Sequence, residues 1–278
     1  MTNLKEPIYV HGSGVPWQLR YRSAIAKGLT RRGLDVHEHG LTNAYQGTHI
    51  VLGPNSWRHV EQLCKARGDD YITINRAFFG SVLGDEENPY VAIGWNGFNR
   101  NARFPFSYDD IGHGKHPHSR LTDDLKADIL PMVADSGPMM DGDQLKPVLI
   151  LGEYDTPKAW LTKVSAELAA TEFPWKFRPH PNAGDMGLGD HLHPAKTLED
   201  ALDQSSYVLS HHSTAGVTAL LRGRHTLTYS EESMAWDVTP HKLAGNIGFP
   251  PRGVWTEWLA WCQWTIEEIE NGDPWEYF

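Results

Sequence analysis

Trp175-Lys-Phe-Arg-Pro-His-Pro181, Tyr207-Val-Leu-Ser-His-His-Ser-Thr-Ala-Gly216 and His225-Thr-Leu-Thr-Tyr229 are the pieces of sequence that decide the fold. Trp175–Arg178, Tyr207–Ser210 and His225–Tyr229 read as short strands, each running up to a turn signal. Thr214 to Arg222 reads as a helix between the last two. Strands that alternate with helices make a parallel sheet covered on both faces. Two of the strand ends carry groups suited to phosphate. Arg178 and His180 lie two apart, so on extended chain they point to one side. Arginine offers a planar fork of donors for phosphate oxygens, and the flanking prolines limit backbone freedom. Ser213 and Thr214 are good N-cap residues. Ala215 and Gly216 are small enough to let a ligand approach the backbone, and a helix N-terminus is a ready anion site.

The alternation continues outward. Pro147–Gly152 reads as a strand, Thr156–Ala170 as a helix with Pro157 in its first turn, and Thr197–Gln204 as a short helix. Towards the N-terminus, Pro7–His11, Leu34–Glu38, His49–Gly53, Tyr71–Asn75 and Tyr90–Gly94 read as strands of a parallel sheet. Helices are expected from Trp17 to Arg32, stopped by Gly33, and from Ser56 to Arg67 with Ser56 as N-cap. From Trp95 to Lys146 the pattern breaks into Asn-, Gly-, His- and Pro-rich sequence with a short helix near Asp123–Leu130. This stretch reads as an interdomain connection plus functional loops. Val254–Glu270 reads as one long amphipathic helix carrying Trp255, Trp258, Trp261 and Trp264. The expected architecture is α/β, with two Rossmann-like βαβ domains, 1–140 and 141–278, facing across a cleft. Ligands of such sheets bind beyond the carboxyl ends of the strands.

Composition narrows the function classes. The 278 residues suffice for two domains, and 40% hydrophobic with 22% charged residues is ordinary for a globular chain. No run approaches the ~20 apolar residues that span a bilayer, and the first residues lack the apolar core of a signal peptide. A cytoplasmic enzyme is the expectation. Cys64 and Cys262 form no motif and read as buried thiols. A net charge of −10 argues against a surface that grips nucleic acid throughout. The basic stretch from Arg20 to Arg32 leaves a local basic cleft open.

Phe-Arg-Pro-His-Pro181, the strand into Ser-His-His-Ser-Thr-Ala-Gly216, the helix into Leu-Arg-Gly-Arg224 and the strand to Tyr229 together resemble the C-terminal half of GT-B glycosyltransferases. The resemblance is nearest to the capsule-polysaccharide type, which includes the retaining Kdo transferases, and it covers Lys176 to Tyr229. It implies that Arg178, His180, Ser213, Thr214 and Gly216 bind the phosphate and nucleotide of a sugar donor. It also implies that Glu232 bonds the donor ribose or sugar, that no metal is required, and that the final helix crosses back onto the N-terminal domain. The N-terminal half matches only in layout.

A base or nucleophile is still needed. His11, ending the first strand before Gly12-Ser13-Gly14, is one candidate, and Glu153 another, with Asp155 beside it. Gly12, Ser13, Arg76 and Asn96, at strand ends, are candidates for the acceptor side. The acceptor is a glycan or lipid-linked saccharide, or a hydroxymethylated pyrimidine in DNA of the phage-modified kind, which would have to leave its stack. His113, His116 and His118, and further on His191 and His193, lack a carboxylate at a recognised metal spacing, so no metal centre is expected there. Competing readings are a sugar-nucleotide epimerase, a nucleotide- or glycan-binding module without turnover, and a metallohydrolase with zinc on His113, His116 or His118.

Overall fold

Residues Tyr21, Ala24, Ile25, Gly28 and Leu29 recur with helical spacing and are buried, which seats helix α1 (Pro16–Arg31) against strand β1 (Ile8–His11). Gly33, at a φ of 78°, ends the helix as its sequence suggests. The structure is a computed structural model and describes residues 4–39, 46–53, 58–79, 89–132, 140–141, 144–171, 173–184, 186–243 and 250–278. Ser56, expected as an N-cap, lies outside them.

After α1 come β2 (Val36–His39), β3 (Thr48–Leu52), α2 (Arg58–Arg67), β4 (Tyr71–Arg76) and β5 (Tyr90–Trp95). Strands β2, β1, β3 and β4 pair in parallel in that order. Strand β5 runs antiparallel to β4, with Ile74 opposite Ile93, where the sequence suggested a fully parallel sheet. An antiparallel neighbour needs no crossover helix, so strand pattern alone does not set its direction.

Chain contacts divide the molecule at 122 and 252: Met1–Thr122 with Gly253–Phe278 form one unit, and Asp123–Arg252 the other. The second unit holds α4 (Asp123–Ala127), which follows α3 (Tyr108–Gly112) of the first. Then come the hairpin β6 (Met140–Asp141) and β7 (Gln144–Leu145), β8 (Val148–Leu151), α5 (Lys158–Ala169), β9 (Trp175–Arg178), α6 (Leu198–Asp203), β10 (Tyr207–Ser210), α7 (Thr214–Leu221) and β11 (His225–Thr228). Its main sheet is wholly parallel in the order β11-β10-β8-β9. Alternate side chains serve opposite faces. Val148, Ile150, Phe177 and Leu209 pack with Trp160, Leu161, Val164 and Leu168 of α5. Leu149, Leu151 and Val208 pack with Leu198, Leu202 and Ala219 of α6 and α7. Helices on both faces of a parallel sheet are the Rossmann-like arrangement the sequence suggests.

The chain returns to the first unit with α8 (Gly253–Trp261), β12 (Gln263–Thr265) and α9 (Ile266–Asn271). The single helix expected over Val254–Glu270 is thus broken by a strand, which pairs antiparallel with β5. Gln263, fully buried, accepts the backbone N–H groups of Phe78 and Phe79 at 3.0 and 3.2 Å, and Thr265 starts α9 with a capping box to Glu268. The tryptophans at every third residue serve two elements rather than one stripe.

The loop-like stretch after Trp95 is no mere connection. Phe104 and Tyr108 meet Trp258 edge-on, Phe106 meets Trp261 with ring centroids 4.6 Å apart, and the Trp258 indole donates to the Phe106 carbonyl. Within this stretch Phe104 and Ile111 are buried and join the core of the first unit. Among the described residues no helix is long and apolar enough to cross a membrane.

Candidate functional site

The carboxyl edge of the second unit's sheet gathers most of the residues singled out from sequence. Register sets the arrangement: Leu151 of β8 lies beside Ser210 of β10, and beside Arg178 of β9 on its other flank. The chain leaving β8 and the chain leaving β10 therefore emerge side by side, at the point where strand order reverses and such sheets bind ligands. Gly152 makes the tight exit from β8. A Cβ there would lie 2.8 Å from the Phe177 ring and 3.0 Å from the Arg178 carbonyl oxygen.

Glu153 follows at once and is 5% exposed. Its Oε1 accepts the backbone N–H of His212. Its Oε2 lies 3.0 Å from Nδ1 of His212 and 3.7 Å from Nδ1 of His211, and the two imidazole nitrogens are 2.8 Å apart. Burial pushes the Glu153 carboxyl above the usual carboxylate range, against the N–H groups of His212 and Ser213 and the charge of His211. Burial likewise pushes His211 and His212 below the usual imidazole value, opposed at His211 by Glu153 and at His212 by Glu232 and Asp155. Glu232, exposed in the turn after β11, thus acts electrostatically on both histidines.

The start of α7 is capped from within. Ser213 Oγ accepts the N–H of Ala215, and the Ser213 carbonyl accepts that of Gly216. Gly216, expected to make room for ligand, is buried, and a Cβ on it would lie 2.8 Å from Ser210 Oγ. Its small size is required by packing of α7 on the end of β10. Thr214 is the first helical residue and remains half-buried.

Arg178 and His180 are held by separate partners. The Arg178 guanidinium donates to the carbonyls of Ala195 and Lys196 at 3.4 and 3.3 Å, and burial lowers its pKa against the charge of Glu199. His180 Nδ1 accepts the N–H of Asn182, so the neutral ring carries its proton on Nε2, and its edge meets the exposed ring of Tyr154. Burial lowers the His180 pKa.

The first unit changes several expectations. His11 is 2% exposed, and its Nε2 is hydrogen-bonded to His49 Nδ1 at 2.9 Å within a column of stacked rings that includes Tyr9. A ring so enclosed is part of the sheet's packing, not a base open to substrate. The Gly12–Gly14 turn is tied down by buried Gln18, whose Oε1 accepts the Ser13 N–H, while Arg22 covers Gly12. Arg76 is exposed at the carboxyl end of β4. Asn96 lies at the opposite edge, because β5 is antiparallel: its side chain accepts the Tyr71 N–H and donates to Asp70. Its φ of 60° and these bonds make it a turn residue closing the start of β4.

His116 and His118 pack near Trp261, and His191 stacks flat on Trp175 at 3.7 Å. Among the described residues the one group of three or more potential ligands is Glu153, His211 and His212. Of these three, Glu153 is the catalytic candidate legible in sequence, and the His211–His212 pair directly after a strand is the signal that marks the other two.

The basic stretch of α1 is largely neutralised. Lys27 pairs with Glu270, Arg32 with Glu276 and Arg22 with Glu38, and Arg31 donates to the Glu270 carbonyl and Asn271.

No family model matches the chain, and no curated protein matches it. Among solved structures it is similar to the KpsC β-Kdo 2,7 transferase of Thermosulfurimonas dismutans, at 14% identity and a TM-score of 0.54, with 96% of this chain and 98% of that chain covered. The KpsC β-Kdo 2,4 transferase of the same organism aligns at 11% identity over 92% of this chain and 89% of that chain, with a TM-score of 0.47. A glycotransferase of kitacinnamycin aligns at 10% identity over 83% and 81%, with a TM-score of 0.29. The first likeness shows the fold alone, which is α/β and GT-B-like with two Rossmann-type units.

Proposed function

We propose that the chain is a glycosyltransferase that moves a sugar from a nucleotide-sugar donor to a hydroxyl acceptor. The observation that supports this reading is that Arg178 and His180, the start of α7 and Glu232 each follow the carboxyl end of a strand of one parallel sheet. Departure of the sugar leaves charge on a phosphate. The Arg178 guanidinium keeps N–H donors beyond its long bonds to the Ala195 and Lys196 carbonyls, and these, the Nε2–H of His180 and the hydroxyls of Ser213 and Thr214 are donors of the kind that stabilise such charge. Glu232, exposed beside them, is a carboxylate for ribose or sugar hydroxyls. The likeness of fold to a Kdo transferase supports the class of reaction, not the donor.

Of the acceptors, a saccharide is favoured over DNA, because Arg22, Lys27, Arg31 and Arg32 are already bonded within the first unit. Nucleic-acid binding depends on such residues being available to phosphates. Arg76 is an acceptor-side candidate exposed at the carboxyl end of β4.

The test is a thermal-shift screen with UDP-, GDP-, CMP- and dTDP-sugars, followed by release of free nucleotide from the stabilising donor with saccharide or hydroxymethylated DNA added. A donor at about 100 times its Kd should add about 2.7 kcal/mol. Silence from every nucleotide sugar would overturn the proposal. Stabilisation without turnover on any acceptor would point to a binding module instead.

A further inference from the structure

We propose that Glu153, His211 and His212 form a binding site for one divalent transition-metal ion of the zinc class. Oε2 of Glu153 and Nδ1 of each histidine lie within 4.8 Å of one another, from residues 59 positions apart in the chain at the ends of two neighbouring strands. Their separations are 2.8, 3.0 and 3.7 Å. Metal bonds of about 2.0–2.2 Å would set the ligand atoms of a four-coordinate ion about 3.3 Å apart, so little rearrangement is needed.

A second observation points into the same space. Oε2 of Glu153, buried in a residue 5% exposed, faces the two imidazole nitrogens at 3.0 and 3.7 Å without the alignment of a full hydrogen bond. A buried carboxylate oxygen left unbonded is costly. The two Nδ1 atoms share a hydrogen bond at 2.8 Å; moving that one proton to Nε2 leaves two nitrogen lone pairs and this oxygen facing one another, and a cation then satisfies all three. The other carboxylate oxygen is fixed by the His212 N–H, the kind of outer bond that orients a metal ligand.

The donor set decides the class of ion. Two imidazoles and one carboxylate suit zinc and its first-row neighbours, whereas magnesium and calcium favour oxygen ligands. Three protein ligands leave a position for water or an oxygen of a bound molecule. Asp155 and Glu232 add negative charge around the pair without being members of the cluster. The site stands on these atoms whether or not the chain transfers sugar.

The experiment uses the full chain after chelator treatment and dialysis. Cobalt(II) is titrated and followed by its visible absorption, and zinc(II) by calorimetry. One equivalent should bind, with the intense visible bands of a low-coordinate cobalt site. His211→Asn and His212→Asn, half-buried and therefore mild, should each weaken binding by at least about 100-fold, since loss of an outer partner alone costs about 10–100-fold. Glu153→Gln should do the same, with circular dichroism verifying that it folds. The double variant His116→Ala/His118→Ala should bind like the parent. The proposal is overturned by absence of a stoichiometric cobalt spectrum, by unchanged affinity in both His211 and His212 variants, or by loss of binding in the loop variant. Nucleotide-sugar stabilisation of the chelated protein is a separate measurement, so failure of the metal site leaves the transferase reading standing, and the reverse.

Discussion

The guanidinium of Arg120 bonds three elements of the first unit: the Ala260 carbonyl of α8, the Gln263 carbonyl of β12 and the Glu268 carboxylate of α9. It also lies over the Trp264 ring at 3.9 Å. Burial would raise the Glu268 pKa, but the Arg120 bonds and charge, with the Thr265 cap, hold it below the usual glutamate value. A depressed carboxylate contributes stability above its unfolded pKa of about 4.3 and loses it as pH falls through the folded value. Glu268→Gln should therefore unfold about 2–3 kcal/mol more easily near pH 7, because it strips the partner from a largely buried cation. The difference should shrink below about pH 4. Denaturant melts of both proteins from pH 3 to 8 check this, and a gap that is constant with pH would refute it. At the same scale, Arg178→Ala should raise the Kd for a stabilising nucleotide sugar by about 10–100-fold, the worth of a charged hydrogen bond, with Arg178→Lys restoring only part of it. The place of Arg178 at the end of β9 was legible in sequence because a strand pattern runs into an arginine and two prolines. Arg120 was not, because its partners Glu268 and Gln263 lie 148 and 143 positions away.

At the scale of elements, helix crossings depend on residues without side chains. Gly28 sits where α1 meets α9, and a Cβ there would lie 1.9 Å from the Ile269 carbonyl oxygen. Backbone cannot yield as a side chain does, so Gly28→Ala should cost about 2–3 kcal/mol although alanine is the better helix former. A urea midpoint equal to or above the parent's would contradict the close approach. Gly216→Ala meets a side chain instead, Ser210 with Oγ at 2.8 Å and Cβ at 2.9 Å, and should lower stability by about 1–3 kcal/mol. Pairing it with Ser210→Gly should recover part of the loss if packing, rather than ligand contact, requires the glycine. Strands and helices of both units were legible because their signals are local: alternation, caps and a stop glycine. The break within Val254–Glu270 was not, because it depends on buried Gln263 serving the backbone of Phe78 and Phe79.

For the whole molecule, the C-terminal residues complete the first unit rather than the second. Arg120→Ala should accordingly raise hydrogen exchange in peptides from 90–122 and 253–278, while peptides from β8, β9, β10 and β11 stay protected. Equal deprotection of both sets would show that the two cores do not open separately. The sequence by itself determined the α/β class, nearly every strand of both sheets and the N-cap at Ser213, because propensity, period and capping act over a few residues. Only the tertiary structure decided which strand ends adjoin. The order β11-β10-β8-β9 and the register of Leu151 with Ser210 bring Glu153 to His211 and His212. Folding also turned His11 inward and matched the basic face of α1 with acidic residues near the C-terminus. These are pairings between residues far apart in the chain, and their free energy exists only once the sheets have formed.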